Sequence, residues 1–272
     1  MPELPEVENF RRFFDRAALG RRVVDVAISD DRVLHNISPA RLRRTLRNHC
    51  FEKTRRHGKH LLARLDTGSW LTFHFGLTGG LGRFRSPDDD PRFDRIRFDF
   101  ADGSHLAYTD QRLLGELDIT EDPDRFLQER PLGRDALDPD LTLKAFRNII
   151  AGRRGILKSL LMDQKRVAGI GNEYSDEILF QAGLHPEARA ENLQPEQIST
   201  LYRTMRKVLK TAIDKGAGSP DFHDRLPRKF LLRHRRKGAV CPACGTPIET
   251  RKVGGRTAYY CPACQPVPDD LQ

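Results

Sequence analysis

The chain has 272 residues, of which 38% are hydrophobic and 31% are charged. This length and balance exclude an intrinsically disordered chain and allow one large domain or two ordinary ones. Lys and Arg outnumber Asp and Glu by 47 to 38, and the net charge of +9 favours an acidic partner such as nucleic acid, although a generally basic surface would give the same count.

Neither a targeting signal nor a disulfide framework is expected. No segment reaches the roughly 18 consecutive apolar residues that a membrane helix needs. The start, Met1-Pro2-Glu3-Leu4-Pro5-Glu6, is acidic and has no apolar core, unlike a signal peptide. Four of the five cysteines lie between positions 241 and 264, so they are not spread along the chain as extracellular disulfides usually are. We therefore expect a cytoplasmic protein that binds a metal.

The first 120 or so residues are predicted to be mainly β-structure. A helix is expected over residues 5–19, with an inner side formed by Val7, Phe10, Phe14 and Ala17. Apolar residues then recur with a period of two in stretches that begin at Val24, Leu71 and Ile96. That period indicates strands with one buried face.

The pattern becomes helical beyond residue 120, after Asp122-Pro123-Asp124 opens a connector that is expected to be rich in turns. The clearest helix is predicted between Pro195 and Gly216, with weaker ones over 143–151, 156–163 and 173–182. A β-rich domain over 1–125 would thus be followed by a linker over 126–139, a helical domain over 140–228 and a small metal-binding module over 229–272.

The cysteines form two CxxC pairs, Cys241 with Cys244 and Cys261 with Cys264, separated by sixteen residues. Four thiolates at this spacing can hold one tetrahedral zinc ion, and such a site has no open position for chemistry. Two strand-like runs on either side of Gly254-Gly255 predict a hairpin that is too small to fold by burial alone. Zinc is the favoured ligand, and two disulfides or an iron–sulfur cluster are the alternatives.

A basic segment precedes this module. Residues 225–237 include seven Lys or Arg and no acidic residue, and Arg256 follows the predicted hairpin turn. Cations on a rigid ribbon can reach phosphates or a groove of DNA. A solvated charged face is the ordinary alternative, but the absence of compensating acids favours contact with nucleic acid.

The start of the chain offers an unusual nucleophile. Pro5 suits the first turn of a helix, and Glu6 and Glu8 complement its dipole, but Pro2 and Glu3 are left without a role. Removal of Met1, which a small second residue permits, would free a secondary amine that titrates at about 8. Such an amine can attack a sugar C1′ and form an iminium ion, while Glu3 could transfer protons. Many terminal Pro-Glu pairs are nevertheless inert.

The order of short motifs resembles one known family. The segment Pro2-Glu3-Leu4-Pro5-Glu6-Val7-Glu8 resembles the start of the formamidopyrimidine-DNA glycosylase and endonuclease VIII family, and Leu4 is similar to the formamidopyrimidine branch. In the first half, RHGKHLL at 56–62 resembles the family's RGKxLL strand, HFGLTG at 74–79 resembles HLGMTG, and DQRLLG at 110–115 resembles DPRRFG. In the second half, LMDQ at 161–164 with GIGNEY at 169–174 resembles the helix–two-turn–helix segment, and the cysteine ribbon resembles the zinc finger. Their joint order, from residue 2 to about residue 265, is specific.

This resemblance implies an α+β fold of two domains: an N-terminal β-sandwich with a leading helix, and a C-terminal helical domain with a helix–two-turn–helix and a zinc-ribbon hairpin. It implies a base-excision-repair DNA glycosylase with AP lyase activity, which removes oxidised bases and nicks the strand by β,δ-elimination. The implied partner is damaged double-stranded DNA, bound by a monomer with one structural zinc ion and no small-molecule cofactor. The implied location is the cytoplasm, at the nucleoid, without membrane attachment.

The resemblance also implies residue roles. Pro2 would form the Schiff base, Glu3 would move protons around the deoxyribose, and Glu6 would be a supporting carboxylate. The residues that would grip phosphates beside the lesion are Lys59, Asn172 and Arg256. The residues that would fill the gap left by the everted base are Leu77, Arg112 and Leu114. Read without the resemblance, Lys59 is a charge at a strand end, Asn172 a helix cap and Leu77 a core residue.

Departures from the family pattern bear on the choice of lesion. Leu77 replaces the usual Met and Leu114 the usual Phe, so the wedge is aliphatic, and Gln111 and Leu113 also differ. The stretch from Gly216 to Cys241 is shorter than the loop that closes over an everted 8-oxoguanine in the formamidopyrimidine branch. Ring-opened purines are therefore the favoured substrates, ahead of 8-oxoguanine, and specificity for oxidised pyrimidines or hydantoins is the alternative.

Two other classes of protein fit part of the sequence. A damaged-DNA-binding protein on the same scaffold would lack catalysis if Met1 stayed attached or Pro2 were badly placed. A zinc-ribbon protein associated with RNA or transcription would explain the cysteines and the charge. That second class gives no role to Pro2, Glu3 or Lys59.

Overall fold

The computed structural model describes residues 1–268, which divide into two compact units, Met1–Arg130 and a second that begins at Pro131. Each unit has its own contacts and is a folded body in its own right. Among the described residues, no helix has both the length and the apolar character needed to cross a bilayer.

The first unit combines two antiparallel sheets with helices. Its elements are α1 (Leu4–Ala18), β1 (Val23–Ile28), α2 (Pro39–Leu46), β2 (Phe51–His57), β3 (His60–Leu65), β4 (Trp70–His74), β5 (Gly79–Phe84), β6 (Asp94–Phe100), β7 (His105–Asp110), β8 (Glu116–Thr120) and α3 (Pro123–Glu129). One sheet has the strand order β1-β6-β7-β5 and the other the order β2-β3-β4-β8. Neighbouring strands in both are antiparallel.

The two sheets share one aromatic core, as in a β-sandwich. Phe73 of β4 lies 6.4 Å from Phe98 of β6 and 6.1 Å from Tyr108 of β7, measured between ring centroids. Helix α1 adds Phe14, whose ring lies 5.7 Å from that of Phe73. Burial of each such side chain contributes about 1.5–3 kcal/mol. The predicted inner side of α1 is confirmed, since Val7, Phe14 and Ala17 are buried and Phe10 packs against the same core.

The second unit is helical and ends in a hairpin. Its elements are β9 (Arg134–Asp135), α4 (Leu143–Ile150), α5 (Leu157–Met162), β10 (Val167–Ala168), α6 (Asn172–Ala182), α7 (Pro195–Asp214), α8 (Phe222–Arg225), β11 (Glu249–Val253) and β12 (Arg256–Tyr260). Helix α6 packs against α5, α7 and β12. The four predicted helices are confirmed to within two residues at each end, and the α+β fold class is confirmed.

Two helices of the first unit were missed by the sequence reasoning, although their caps are visible in the sequence. The Ser38 hydroxyl accepts a hydrogen bond from the Arg41 N–H at 3.3 Å and begins α2. Asp122 accepts from the N–H groups of Asp124 and Arg125 at 3.0 and 2.9 Å, so Asp122-Pro123-Asp124 begins α3 instead of a turn. In both cases a proline follows the capping residue, as is common at helix starts.

Candidate functional site

The predicted catalytic residues of the N-terminus lie together at the start of α1. Glu3 is the N-cap residue, and its N–H donates to Glu6 Oε2 at 2.9 Å. Residue Glu3 is only 1% exposed, and Leu4 and Pro5 are buried. Pro2, half-buried, directly precedes this fixed turn. The fold therefore places Pro2 next to two carboxylates whose positions the helix start determines.

Lys59 lies in a tight hairpin turn that is tied to the same helix. Gly58 and Lys59 join β2 to β3 between the paired residues His57 and His60, and Gly58 has a φ of +56°. Arg56 donates through Nη1 to the Gly58 carbonyl at 3.1 Å and through Nε to Glu8 Oε2 at 3.2 Å. Arg56 thus links the Lys59 turn to α1. In the sequence, Arg56 stood out only as part of a motif.

The carboxylate of Glu8 is held in its charged form by arginines. Burial alone would raise the pKa of Glu8, but hydrogen bonds and charge from Arg11, with Arg56 and Arg12, bring that pKa below its ordinary value. Glu8 Oε1 and Oε2 accept from Arg11 at 2.8 and 3.1 Å. The charged Glu8 is therefore a stable anchor for Arg56 at neutral pH.

Two histidines pack beside the Lys59 turn and are neutral at physiological pH. The rings of His60 and His74 lie 5.0 Å apart between centroids. Burial lowers the pKa of His60 to about 3, with the nearby His74 as a further cause. Burial likewise lowers the pKa of His74, and the charge of Lys59 acts in the same direction. Because both rings are uncharged, neither adds a further positive charge beside Lys59.

The predicted wedge residues are brought together by one buried carboxylate. Asp110, at the end of β7, accepts from the Thr78 hydroxyl at 2.5 Å through Oδ1 and from the Gly115 N–H at 2.8 Å through Oδ2. The Arg112 N–H donates to the Thr78 hydroxyl oxygen at 3.0 Å. Asp110 therefore joins the turn that carries Leu77 to the loop between β7 and β8. The network of Asp110 and Thr78 was not anticipated from the sequence.

The shape of these two loops keeps their apolar tips at the surface. Gly76 has a φ of +55°, and a Cβ at this position would collide with the backbone of Leu114, so only glycine fits. Leu114 is 49% exposed, Arg112 is exposed, and Leu77 is half-buried in its turn. Exposed apolar side chains on a constrained loop are typical of a surface that binds a partner. Leu77 is not one of the core residues.

The second unit brings Asn172 and Arg256 into one neighbourhood. Asn172 is the first residue of α6, and its Nδ2 donates to the Thr257 carbonyl of β12 at 3.3 Å. Its Oδ1 is buried, with no hydrogen-bond partner among the described residues. Arg256, next to Thr257, is exposed. The N-cap of α6 is Gly171, so the simple capping role considered for Asn172 is wrong.

Gln164 fixes the two turns that lead into α6. Its Nε2 donates to the carbonyls of Met162 and Ile170 at 2.7 and 2.6 Å. Its Oε1 accepts from the Gly169 N–H at 3.0 Å. One side chain thus satisfies three backbone groups that neither helix could satisfy. The position of Asn172 depends on this bridge.

The four cysteines fit one tetrahedral ion. Their Sγ atoms all lie within 4.8 Å of one another. The Sγ–Sγ distances are 3.8 Å for Cys241 and Cys264, 3.5 Å for Cys244 and Cys261, and 3.4 Å for Cys244 and Cys264. Four Zn–S bonds of about 2.3 Å give sulfur separations of this size. Strands β11 and β12 pair across Gly254 and Gly255, whose φ values are +55° and +74°, so the predicted hairpin is confirmed.

Part of the basic segment 225–237 is engaged in contacts within the second unit. Arg225 pairs with Asp221, Arg233 donates to the Leu226 carbonyl at 3.0 Å, and Arg235 is directed toward Asp176. The other cations of the segment are exposed, and they are Arg228, Lys229, Arg236 and Lys237. The segment is therefore a folded part of the second unit and not a freely solvated run.

Comparison with known families assigns nearly the whole chain. Three family models match in order: the formamidopyrimidine-DNA glycosylase N-terminal domain over residues 1–117, the formamidopyrimidine-DNA glycosylase H2TH domain over 132–224, and the zinc finger found in FPG and IleRS over 238–267. H2TH denotes the helix–two-turn–helix. The third match, together with the four clustered thiolates, shows that the ribbon holds one structural zinc ion.

Curated and structural relatives agree with these matches. The formamidopyrimidine-DNA glycosylase of Pelotomaculum thermopropionicum is 34% identical over 98% of this chain and 100% of its own length, and that of Methylococcus capsulatus is 35% identical over 97% and 100%. The Lactococcus lactis enzyme in complex with an abasic site containing DNA matches with a TM-score of 0.88 and 26% identity, over 97% of this chain and 100% of that one. The chain belongs to the formamidopyrimidine-DNA glycosylase family and is a DNA glycosylase of base excision repair.

Proposed function

We propose that this glycosylase excises ring-opened purines from double-stranded DNA through the amine of Pro2 and then cuts the strand at the resulting abasic site. The observation that carries the proposal is the placement of Pro2 directly before a helix start at which Glu3 and Glu6 are fixed by a 2.9 Å hydrogen bond. A nucleophilic amine and a proton-transferring carboxylate at one point are what such chemistry needs.

The reaction begins once Met1 has been removed. The secondary amine of Pro2 attacks C1′ of the damaged nucleotide, the C1′–base bond breaks, and the base leaves with the bonding electron pair and a proton. Opening of the deoxyribose ring then gives an iminium ion between Pro2 and C1′. Loss of a C2′ proton expels the 3′ phosphate, and a second elimination expels the 5′ phosphate. Water finally hydrolyses the iminium and releases the amine.

The two carboxylates have different roles in this scheme. Glu3 moves protons to and from the deoxyribose ring oxygen, since it is adjacent to the nucleophile. Glu6 is a positioning residue, because its Oε2 accepts from the Glu3 N–H and thereby fixes the backbone that carries Pro2. Both carboxylates lie at the positive end of the α1 dipole, which stabilises their negative charge.

The remaining predicted residues hold the DNA. Lys59, Asn172 and Arg256 bind phosphates next to the lesion, which keeps the backbone in place while the nucleotide is everted. Leu77 and Leu114 fill the space that the everted base leaves, and Arg112 bonds to the unpaired base of the other strand. The hydrogen bonds around Asp110 support this assignment, because they hold all three wedge residues on adjacent loops.

Ring-opened purines are the favoured lesions for two reasons. The Lactococcus lactis relative has been crystallised with a Fapy-dG containing DNA, a ring-opened purine lesion. In this chain the residues between 216 and 241 are used for packing: Phe222, Leu226, Leu231 and Leu232 are buried. Because these residues pack in the interior, fewer residues of this segment are left to form a loop over the everted base. That supports weaker binding of 8-oxoguanine. Oxidised pyrimidines and hydantoins are the competing substrates.

We further propose that the protein acts as a monomer, without a small-molecule cofactor. Because its substrate is DNA, we expect it to act in the cytoplasm, at the nucleoid. Light scattering of the purified protein, alone and with one equivalent of duplex, tests the oligomeric state. A mass equal to one chain supports a monomer, and a mass of two chains contradicts it.

Borohydride trapping on duplexes with one defined lesion tests the function. We expect a covalent crosslink with Fapy-dG, a weaker one with 8-oxoguanine, and none with Pro2→Gln, whose large second residue retains Met1. Glu3→Gln should lose base excision yet still trap a preformed abasic site, since that aldehyde needs no glycosidic cleavage. Glu52→Gln, an exposed glutamate of β2, is the matched control. Binding without any crosslink would favour the non-catalytic alternative, and preferred trapping of an oxidised pyrimidine would overturn the choice of lesion.

A further inference from the structure

Three charged side chains from distant parts of the second unit meet in its interior. Lys158 Nζ lies 2.6 Å from Asp176 Oδ1, and Arg235 Nε lies 2.9 Å from Asp176 Oδ2. The side chains of Lys158 and Asp176 are fully buried, and that of Arg235 is 17% exposed. The cluster joins α5, α6 and the segment that leads into the zinc ribbon. The cluster shares no residue with the four cysteines or with the N-terminal carboxylates.

Stability alone is a poor explanation for this cluster. Taking charges out of water costs several kcal/mol each, and apolar side chains of similar volume often hold a fold equally well. Charged groups with directional hydrogen bonds do, however, fix the relative placement of the elements that carry them. The neighbours of the cluster show which elements these are.

On one side, the cluster holds Asn172, whose side-chain amide is proposed to bind a phosphate. Lys158 Nζ also donates to the Asn172 carbonyl at 3.1 Å and to the Ser175 hydroxyl at 2.8 Å. These bonds fix the first turn of α6, where Asn172 lies. The position of the Asn172 side chain therefore depends on Lys158 and on its ion pair with Asp176.

The other side of the cluster holds the ribbon. The guanidinium of Arg235 lies over the ring of Tyr259 in β12, 4.6 Å from its centroid. Strand β12 begins with Arg256, three residues before Tyr259. The hairpin turn also abuts α5, because a Cβ on Gly254 would lie 2.9 Å from the Ser159 hydroxyl. Arg235 thus connects the strand that carries Arg256 to the helix that carries Asn172.

We propose that Arg235 and Asp176 are positioning residues that set the ribbon, and with it Arg256, at the distance from Asn172 that two neighbouring phosphates require. The inference rests on the phosphate-binding roles proposed above for Asn172 and Arg256. Arg235 acts through Tyr259 and Asp176 and makes no contact with DNA itself. The pair is therefore a determinant of DNA affinity that is separate from the zinc site.

A double-mutant cycle on the zinc-loaded full chain tests this inference. The ligand is a duplex that contains a tetrahydrofuran abasic-site analogue, and its Kd is measured over a range of salt concentrations. Arg256→Ala should weaken binding about tenfold and lower the salt slope by about one. Arg235→Met keeps an apolar stem on Tyr259 and should also weaken binding about tenfold and lower the salt slope by about one, because Arg256 no longer reaches its phosphate. The double variant should bind no more than about twofold more weakly than Arg256→Ala.

The outcomes separate the inference from its premise. If Arg256→Ala changes neither Kd nor slope, the proposed phosphate role fails and the inference falls with it. If Arg256→Ala acts as expected but the two effects multiply, to about a hundredfold, Arg235 acts independently and the inference alone is overturned. A salt slope that falls by a further one in the double variant, relative to Arg256→Ala, would show that Arg235 contacts a phosphate of its own and would also overturn the inference.

Two controls keep the cycle interpretable. Arg125→Met removes one positive charge from an exposed ion pair with Glu129 in the first unit, and it should leave Kd unchanged. Zinc content is measured on every variant, since loss of zinc in Arg235→Met would mean that the contact maintains the ribbon fold, contrary to the inference. Arg235→Lys, which retains the charge without the planar stack, should lie between wild type and Arg235→Met and replaces it if that variant does not fold.

Discussion

The two units hold the side chains that we propose to contact DNA by different physical means. In the first unit, Leu77 and Leu114 project from loops that stand on an aromatic sandwich core, and the buried Asp110 joins those loops. In the second unit, Arg256 stands on a hairpin whose own buried cluster is small, centred on Phe180, Ile248 and two cysteines. Because so little apolar surface is buried there, metal coordination and buried ion pairs stabilise the hairpin instead.

This difference determines which perturbation destabilises each unit. A sandwich core distributes its stability over many contacts, so single changes weaken it by degrees. A ribbon held by one ion loses its fold with that ion. The only tryptophan, Trp70, is buried in β4 of the first unit, so its fluorescence reports on that unit alone. Each region can thus be perturbed while the other is monitored.

Loss of zinc should have the largest effect. Cys261→Ser removes one of four ligands, and zinc supplies about 10–16 kcal/mol to the folding of comparable small fingers. We expect the ribbon to unfold and affinity for abasic-site DNA to fall by at least about a hundredfold, because Arg256 loses its support. Fluorescence anisotropy of labelled duplex measures this loss.

The denaturation curve of Trp70 is the control for the zinc experiment. It should be the same in Cys261→Ser and in the wild type, since the four clustered cysteines lie outside the first unit. Cys50→Ser, at a cysteine that lies outside the cluster, should retain both zinc and DNA affinity. A shift of the Trp70 transition on zinc loss would contradict the separation of the two regions.

A core substitution should perturb the other region selectively. Phe73→Ala removes the ring that contacts Phe14, Phe98 and Tyr108, and we expect the first unit to lose about 3–5 kcal/mol of unfolding free energy. Urea denaturation followed by Trp70 fluorescence measures the change. Zinc content should stay at one ion per chain, and a loss of zinc would refute the independence of the ribbon.

Removing the hydrogen bond between Thr78 and Asp110, which joins the two loops, should affect catalysis more than folding. Thr78→Val removes the hydroxyl that donates to Asp110 and should cost about 1–3 kcal/mol, because the buried carboxylate loses a partner. Single-turnover excision should slow, since the wedge loops are no longer joined.

Leu114→Ala should slow excision with an unfolding free energy within about 0.5 kcal/mol of wild type, as expected for an exposed side chain. Equal excision rates in both variants and the wild type would argue against a wedge.

Acid should destabilise the first unit through His60. Burial lowers the pKa of His60 to about 3, whereas the unfolded chain has an ordinary histidine pKa of about 6.5. Between these values the unfolded state binds a proton that the folded state does not, so unfolding free energy falls as pH falls below about 6.5. The slope due to His60 approaches about 1.4 kcal/mol per pH unit, and His60→Gln should be shallower by that amount between pH 6 and 5. An unchanged slope would mean that His60 is charged in the folded protein.

Local signals in the sequence were sufficient for most elements. The inner side of α1, the caps and apolar spacing of α7, and the Gly254-Gly255 turn each follow from residues within a few positions of one another. The connecting side chains were not predictable in this way. Thr78 and Asp110 are 32 positions apart, Arg56 and Glu8 are 48, and Arg235 and Asp176 are 59. No period or cap links such residues, and only the tertiary fold brings them together.

Peptide mapping of the borohydride-reduced adduct tests the central chemistry most directly. The protein is trapped on a Fapy-dG duplex, digested with protease and nuclease, and the modified peptide is identified by mass spectrometry. We expect the sugar remnant on the α-nitrogen of a peptide that begins at Pro2. A remnant on a lysine side chain such as that of Lys59, or on a peptide that still carries Met1, would contradict the account.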